Sequence, residues 1–196
     1  MYTDKNQIEA YLGITLPSSL DDQLDNWITA VQKWLDNYVG FGFENDTVTD
    51  RYFDGSGERE LFVDKYHTLV SVITLDVDGN NDVTIDTDGI IQYPLNETPK
   101  DRIFLESSAS IAKFPSYRNA VKINAKFGYS VEAPQDIQLA STRLMAHLIQ
   151  PRLSGNLGEK KQESLGDYSV SFAKLDETAK LLGVTNILDQ YRNLEL

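Results

Sequence analysis

The residues best spaced for chemistry are the carboxylates of DVDGNNDVTIDTDG, residues 76–89, whose alternation has the look of a calcium loop. Such a loop needs a glycine at its sixth position and a bidentate glutamate at its twelfth. Counted from Asp76, those positions hold Asn81 and Thr87, and starting from Asp82 or Thr84 does not supply the glutamate either. The stretch therefore reads as a pair of acidic β-turns. His67 and His147 are far apart in sequence and have no partner at metal-ligand spacing. The serine of DGSG, 54–57, sits in a turn signal with no base beside it, and neither a nucleophile elbow nor a phosphate-cradling glycine loop occurs. A hydrolase would need two of the 30 acidic side chains to converge in one deep cleft, and nothing in the sequence singles out a pair. No catalytic residue, metal ligand or cofactor site is assigned.

The elements that must position these residues fall in an order. Thr3 can cap a short helix through Leu12 that carries Ile8, Tyr11 and Leu12 on one side and stops at Gly13. After Pro17, Ser18 or Ser19 can cap a longer helix on which Leu20, Leu24, Trp27, Val31, Trp34 and Tyr38 recur every three or four residues. From about residue 47 the period becomes two. TVTDRYF and ERELFV flank DGSG and predict a hairpin over 47–63; LVSVITLDV, VTI, IIQY, RIFL and AVKINAKFGY follow as further strands. In the last of these Val121, Ile123, Ala125 and Phe127 face one way and Lys122, Asn124 and Lys126 the other, the pattern of a one-faced antiparallel sheet. Pro134 then leads a helix with Ile137, Ala140, Leu144 and Leu148 in a stripe that Pro151 should end. In the tail Asp176 is the expected cap, Leu181, Leu182, Ile187, Leu188 and Tyr191 the apolar set, and Gly183 the divider of two short helices.

The fold class is thus α+β: a helical framework of N-terminal helices, the Pro134-led helix and C-terminal helices, carrying an antiparallel β insertion. The expected divisions are 1–46 for the N-terminal helical part, 47–130 for the β insertion, 131–152 for a framework helix, and 153–196 for an extended arm and helical tail.

Charge and composition narrow the function. The chain holds 30 acidic against 18 basic side chains, a formal net charge of −12, opposite to the footprint of a protein that grips phosphate backbones. Nine carboxylates fall within residues 1–50. There is no cysteine, hence no disulfide or thiolate chemistry. The first residues have neither a basic region nor an apolar run, and no stretch approaches the about 18 apolar residues of a membrane span. The polar faces of the amphipathic helices are acidic, unlike those of interfacial helices. The expectation is a protein made and used in the cytosol, with no membrane partner.

Residues 163–172, ESLGDYSVSF, stand apart. Tyr168, Val170 and Phe172 alternate with serines at strand period between two helical segments, behind the polar run LSGNLGEKKQ. Gly166 would supply a turn and Asp167 an Asx-type bond to hold it. Arg152, Lys160 and Lys161 gather nearby but are interleaved with Glu159 and Glu163. A strand-like arm with no evident internal partner is suited to pairing with another chain.

Taken together, the helix ending in YLG (11–13), the tryptophan-bearing second helix, RYFDGSGERELFV (51–63) before VSVITLDVDG (70–79), KFGY (126–129) leading into PQDIQLASTRLMAHL (134–148), and ESLGDYSVSF resemble the head–tail connector (adaptor, head completion) proteins of tailed bacteriophages. The resemblance runs along nearly the whole chain. It implies a structural, non-enzymatic virion protein without a cofactor. It further implies a homo-oligomeric ring, dodecameric like the portal protein it binds, located in the virion neck after assembly in the host cytoplasm. That ring would extend the channel through which DNA passes and offer a platform to the next neck or tail component. The interface would draw on Gly166, Asp167, Tyr168, Val170, Phe172, Leu188 and Tyr191. The β region departs from compact members of the family at about 64–125. Two rival readings are another phage neck or tail-completion protein, and a carbohydrate-binding or adhesion module presenting Tyr93 and Tyr117; against the latter, both tryptophans lie on the amphipathic helix.

Overall fold

The structure is a computed structural model in which residues 1–76, 82–153 and 172–192 are described. The chain divides into two compact units, Met1–Gly40 with Ala133–Leu196, and Phe41–Glu132. Among the described residues no helix is long and apolar enough to cross a membrane.

The first unit is helical. Helix α1, Lys5–Leu12, starts at Asp4, not Thr3: the Asp4 carboxylate accepts from the Gln7 amide at 2.8 Å, and the Gln7 side chain accepts from the Asp4 amide at 3.0 Å, a reciprocal capping box. Thr3 is instead buried, its hydroxyl 2.8 Å from that of Thr142, because the start of the chain is drawn into the core alongside buried Tyr2. Gly13 ends α1 in the left-handed region at φ 69°, as its position predicts. A 3-10 turn over Ser18–Leu20 runs straight into α2, Asp21–Val39, so neither Ser18 nor Ser19 makes a side-chain cap. The apolar stripe of α2 is as wide as its spacing implies: Leu24, Trp27, Ile28, Val31, Trp34, Leu35 and Val39 are all buried.

Helix α3, Gln135–Leu153, is the hub of this unit and packs against α1, α2, α4 and α5. Ile137, Ala140, Leu144 and Ile149 are fully buried in it. Pro151 does not end α3, which continues to Leu153. A proline this close to a helix terminus forfeits a single backbone bond, the one to the carbonyl of His147, and only two residues of the helix follow it. Helices α4, Phe172–Leu181, and α5, Val184–Arg192, are divided by Gly183 at φ 70° as expected.

Among the described residues the second unit is an antiparallel sheet of six strands: β1 Thr49–Phe53, β2 Glu60–Thr74, β3 Val83–Ile85, β4 Ile90–Tyr93, β5 Lys100–Leu105 and β6 Val121–Phe127. Their order is β1-β6-β2-β5-β4, with β3 paired to β2 off that path. The predicted 47–63 hairpin does not form. β6 lies between β1 and β2, pairing Arg51 with Ile123 on one side and Val72 with Ile123 on the other. Its fully alternating apolar face, Val121, Ile123, Ala125 and Phe127, needs burial on the inner side of the sheet, and the central position supplies it. The DGSG turn is tied to a distant segment: Gly55 and Gly57 donate to the carbonyls of Tyr117 and Pro115 at 2.9 and 3.1 Å. The runs ERELFV and LVSVIT, read as separate strands, form one 15-residue β2 through shifts of register near Tyr66 and Leu69.

The inner face of the sheet holds a core of Leu61, Tyr66, Val72, Ile103, Leu105, Ile123 and Phe127, with Phe114 from the connection between β5 and β6. The change from helix to sheet falls at Gly40 and Phe41, earlier than the expected residue 47. Phe41 and Phe43 already belong to the sheet unit because their rings pack with each other and with Tyr129, at centroid separations of 5.3, 6.2 and 6.1 Å.

Candidate assembly surfaces

The residues first weighed for chemistry have structural partners. His67 on β2 has Nε2 2.7 Å from the Asn45 carbonyl oxygen and Nδ1 2.9 Å from the Thr68 hydroxyl. The Ser56 hydroxyl accepts from the Glu58 amide at 3.1 Å, which fixes the turn. In the acidic 76–89 stretch, the Asp82 carboxylate accepts from the Asp76 amide at 2.9 Å, while residues 77–81 lie outside the described residues. Among the described residues no group of three or more His, Asp or Glu is placed to hold a metal ion. Trp27 and Trp34 are buried, so neither offers a ring for stacking a sugar. Tyr93 lies beneath the Arg102 guanidinium, 5.2 Å from its centroid, and the Tyr117 hydroxyl donates to the Leu75 carbonyl.

Of the expected interface residues, Gly166, Asp167, Tyr168 and Val170 lie outside the described residues. Phe172 is the first residue of α4, so the strand period does not extend to it. Leu188 and Tyr191 are used within the helical unit itself. Leu188 on α5 is fully buried, and the Tyr191 hydroxyl donates to the Asp136 carboxylate in the first turn of α3, at 2.8 and 2.9 Å from its two oxygens. The apolar periodicity of α5 is the signature of this packing.

Two further bonds hold the tail helices to α2. Asp176, expected as a cap, sits inside α4 and accepts from the Trp34 indole N–H at 2.8 Å. The Tyr38 hydroxyl donates to Asp189 on α5 at 2.9 Å, and partial burial with this neighbouring carboxylate raises the phenol's pKa. The sequence showed the apolar stripe of α2 but not these polar contacts at its margin, because they join residues more than 140 positions apart.

The outer face of the sheet has two characters. Across β1 and β6 it is ionic. Lys126 pairs with Asp46, Lys122 lies 3.9 Å from Asp50, and Asn124 donates to Asp50 at 2.6 Å, with Lys122, Asn124 and Lys126 facing outward as their alternation predicts. Lys126 holds the Asp46 carboxyl below its ordinary pKa.

Across β2, β5 and β4 the outer face is aromatic. Phe62, Arg102 and Tyr93 stand in one cross-strand row, and Glu60, Phe104 and Ile91 in the next. The Arg102 guanidinium lies between two rings, 5.4 Å from the centroid of Phe62 and 5.2 Å from that of Tyr93, and its Nη1 donates to Glu60 at 3.0 Å. Phe62 is 68% exposed. In the sequence ERELFV and RIFL predict strands, with no face assigned to their individual residues. Alternation was the available signal: with Leu61, Ile103 and Leu105 turned inward, Phe62, Arg102 and Phe104 must turn outward.

Comparisons with known proteins place these surfaces in context. A family model described as head completion protein matches residues 2–194. Among solved structures, the chain is similar to a protein in the neck of an empty GTA particle computed with C6 symmetry. That similarity has a TM-score of 0.54 and 13% identity, covering 88% of this chain and 86% of the other. A protein in the neck of a native GTA particle computed with C12 symmetry is similar at a TM-score of 0.48 and 15% identity, covering 82% of this chain and 83% of the other. No curated protein matches the sequence.

Proposed function

The chain belongs to the head completion protein family, and from that premise we propose that it is a structural component of a tailed-phage virion neck, assembling as a closed ring beneath the portal protein. The observation that carries this reading is the extent of the family match, which takes in both the helical and the sheet unit. The fold supports it, since a protein of similar fold is found in the neck of an empty GTA particle computed with C6 symmetry, a cyclic symmetry. In this reading the ring is dodecameric, matching the portal, and it extends the DNA exit channel while presenting a platform to the next neck or tail component. A surplus of acidic over basic side chains suits a lumen past which DNA must slide without adhering.

The arm at 163–172 is the proposed link to a neighbouring copy or to the portal, with Gly166 and Asp167 turning the chain and Tyr168, Val170 and Phe172 giving the apolar contacts. Leu188 and Tyr191 serve this link indirectly, by holding α5 against the rest of the helical unit. Assembly takes place in the host cytoplasm and the product resides in the virion.

Assembly without the chain tests this function. Particles made in its absence should stop as DNA-filled heads that lack tails, and purified chain added back should restore tailed particles. Tailed, infectious particles formed in its absence would contradict a role in the neck.

A further inference from the structure

We propose that the open edge of β1 receives residues 168–171 of a neighbouring copy as an added strand of its sheet. This contact presupposes the ring reading and the arm described above, and it names the surface that the arm occupies.

Among the described residues β1 is paired on one side only. It ends the strand order and bonds to β6, and along its other side the amides and carbonyls of alternate residues meet no strand. Its first four residues are exposed, Tyr52 to 56%. An open edge is a template for a second extended segment, because backbone hydrogen bonds recognise a strand as such. β4, at the other end of the order, is less open: Ile90 is buried and its other three residues are half-buried.

Side chains then select the segment. Phe53 stands in register with buried Val121 on the inner face, and Tyr52 with Lys122 on the outer. Phe53 packs on the core but is only half-buried, so the apolar layer stops at this edge incompletely covered. The charges along β1 are already met, Asp50 by Lys122 and Arg51 by Asp64 at 2.6 Å. An added strand must therefore be apolar on one side, polar on the other and uncharged. Residues 168–171 have that pattern, with Tyr168 and Val170 alternating with serines. Every other run of strand period in the sequence already has its place in the sheet. A closed ring requires two different patches of the same chain to meet, and here the edge belongs to the sheet unit while the arm connects α3 to α4 of the helical unit. Residues 154–166 give that arm about 40 Å of extended chain with which to reach a neighbour.

Photo-cross-linking in isotopically mixed assemblies tests the assignment. A benzophenone amino acid replaces Tyr168 in the full chain, heavy- and light-labelled copies are assembled together, alone and on the portal protein, and circular dichroism melts check folding. Cross-links from position 168 should join heavy to light chains and fall within residues 48–53. Amide hydrogen exchange gives a second readout on the unmodified chain. On assembly the outward amides of β1 should slow about tenfold or more while those of β4 stay unchanged, and Tyr168→Ser with Val170→Ser should abolish the slowing. Cross-links confined within single chains, which would place the strand on its own sheet, would overturn the proposal, as would cross-links confined to the portal or unchanged exchange at β1. Molar mass separates this contact from the function: a closed ring on the portal with β1 still open keeps the neck reading and removes the contact. Heavy-to-light cross-links into β1 without portal recruitment keep the contact and remove the ring's location, and a chain that never assembles overturns both.

Discussion

The indole N–H of Trp34 on α2 donates to a carboxylate oxygen of Asp176 on α4 at 2.8 Å, joining a long N-terminal helix to the tail of the chain. Both tryptophans lie on α2, so intrinsic fluorescence reports on the helical unit. Hydrogen bonds to charged groups contribute about 1.5–3 kcal/mol, and Trp34→Phe should lower the unit's stability by about 2 kcal/mol in urea unfolding followed through Trp27. Asp176→Asn keeps an acceptor and should lose less.

Gly55 faces a harder constraint than Gly13. A Cβ at Gly55 would stand 1.9 Å from the Pro115 carbonyl oxygen, whereas at Gly13 nothing lies within 4 Å and only the φ of 69° opposes a side chain. Gly55→Ala should therefore destabilise the sheet unit by about 3 kcal/mol, the upper part of the range for overpacking, since the clash is with backbone. Gly13→Ala should cost the helical unit about 1 kcal/mol. Thermal melts of the two variants give the comparison.

The Tyr66 hydroxyl is buried on the inner face of the sheet with no hydrogen-bond partner among the described residues, and burial followed by the nearby Asp101 charge raises its pKa strongly. A phenol whose folded pKa lies above its unfolded value of 10.0 contributes stability that is fully present below pH 10.0 and is lost as pH rises beyond it, because only the unfolded chain can release the proton. The sheet unit should thus weaken above that pH. Tyr66→Phe should be neutral or slightly stabilising at pH 7 and should flatten the alkaline decline. Denaturant titrations at pH 8 and pH 11 measure both effects.

Tyr168→Ser with Val170→Ser tests the arm separately from the sheet. The double variant should melt like the intact chain and form ring or portal complexes at least about tenfold more weakly. A lowered melting temperature in the isolated chain would assign these residues to their own subunit's core.

How far sequence carried the fold depended on the range of each interaction. The stripe of α2, the Gly13 and Gly183 stops and the outward lysines of β6 are set by residues a few positions apart, and periodicity finds them. The false hairpin at 47–63 shows the opposite case. DGSG is a sound local turn signal, but β1 finds its partner in β6, about 70 residues on, where a fully apolar face competes for the centre of the sheet. Asp4 displaced Thr3 as the cap because burial of the chain's first residues, a tertiary matter, withdrew the threonine hydroxyl. The interface expectation for Leu188 and Tyr191 came from the resemblance, whereas their apolar spacing by itself does not tell a core-facing stripe from a partner-facing one.

The most direct measurement is molar mass by light scattering, on the chain alone and mixed with the cognate portal protein. A closed multiple of the 22.1 kDa chain, either alone or formed stoichiometrically on the portal, is the predicted result. A monomer at every concentration that ignores the portal would contradict a ring in the neck.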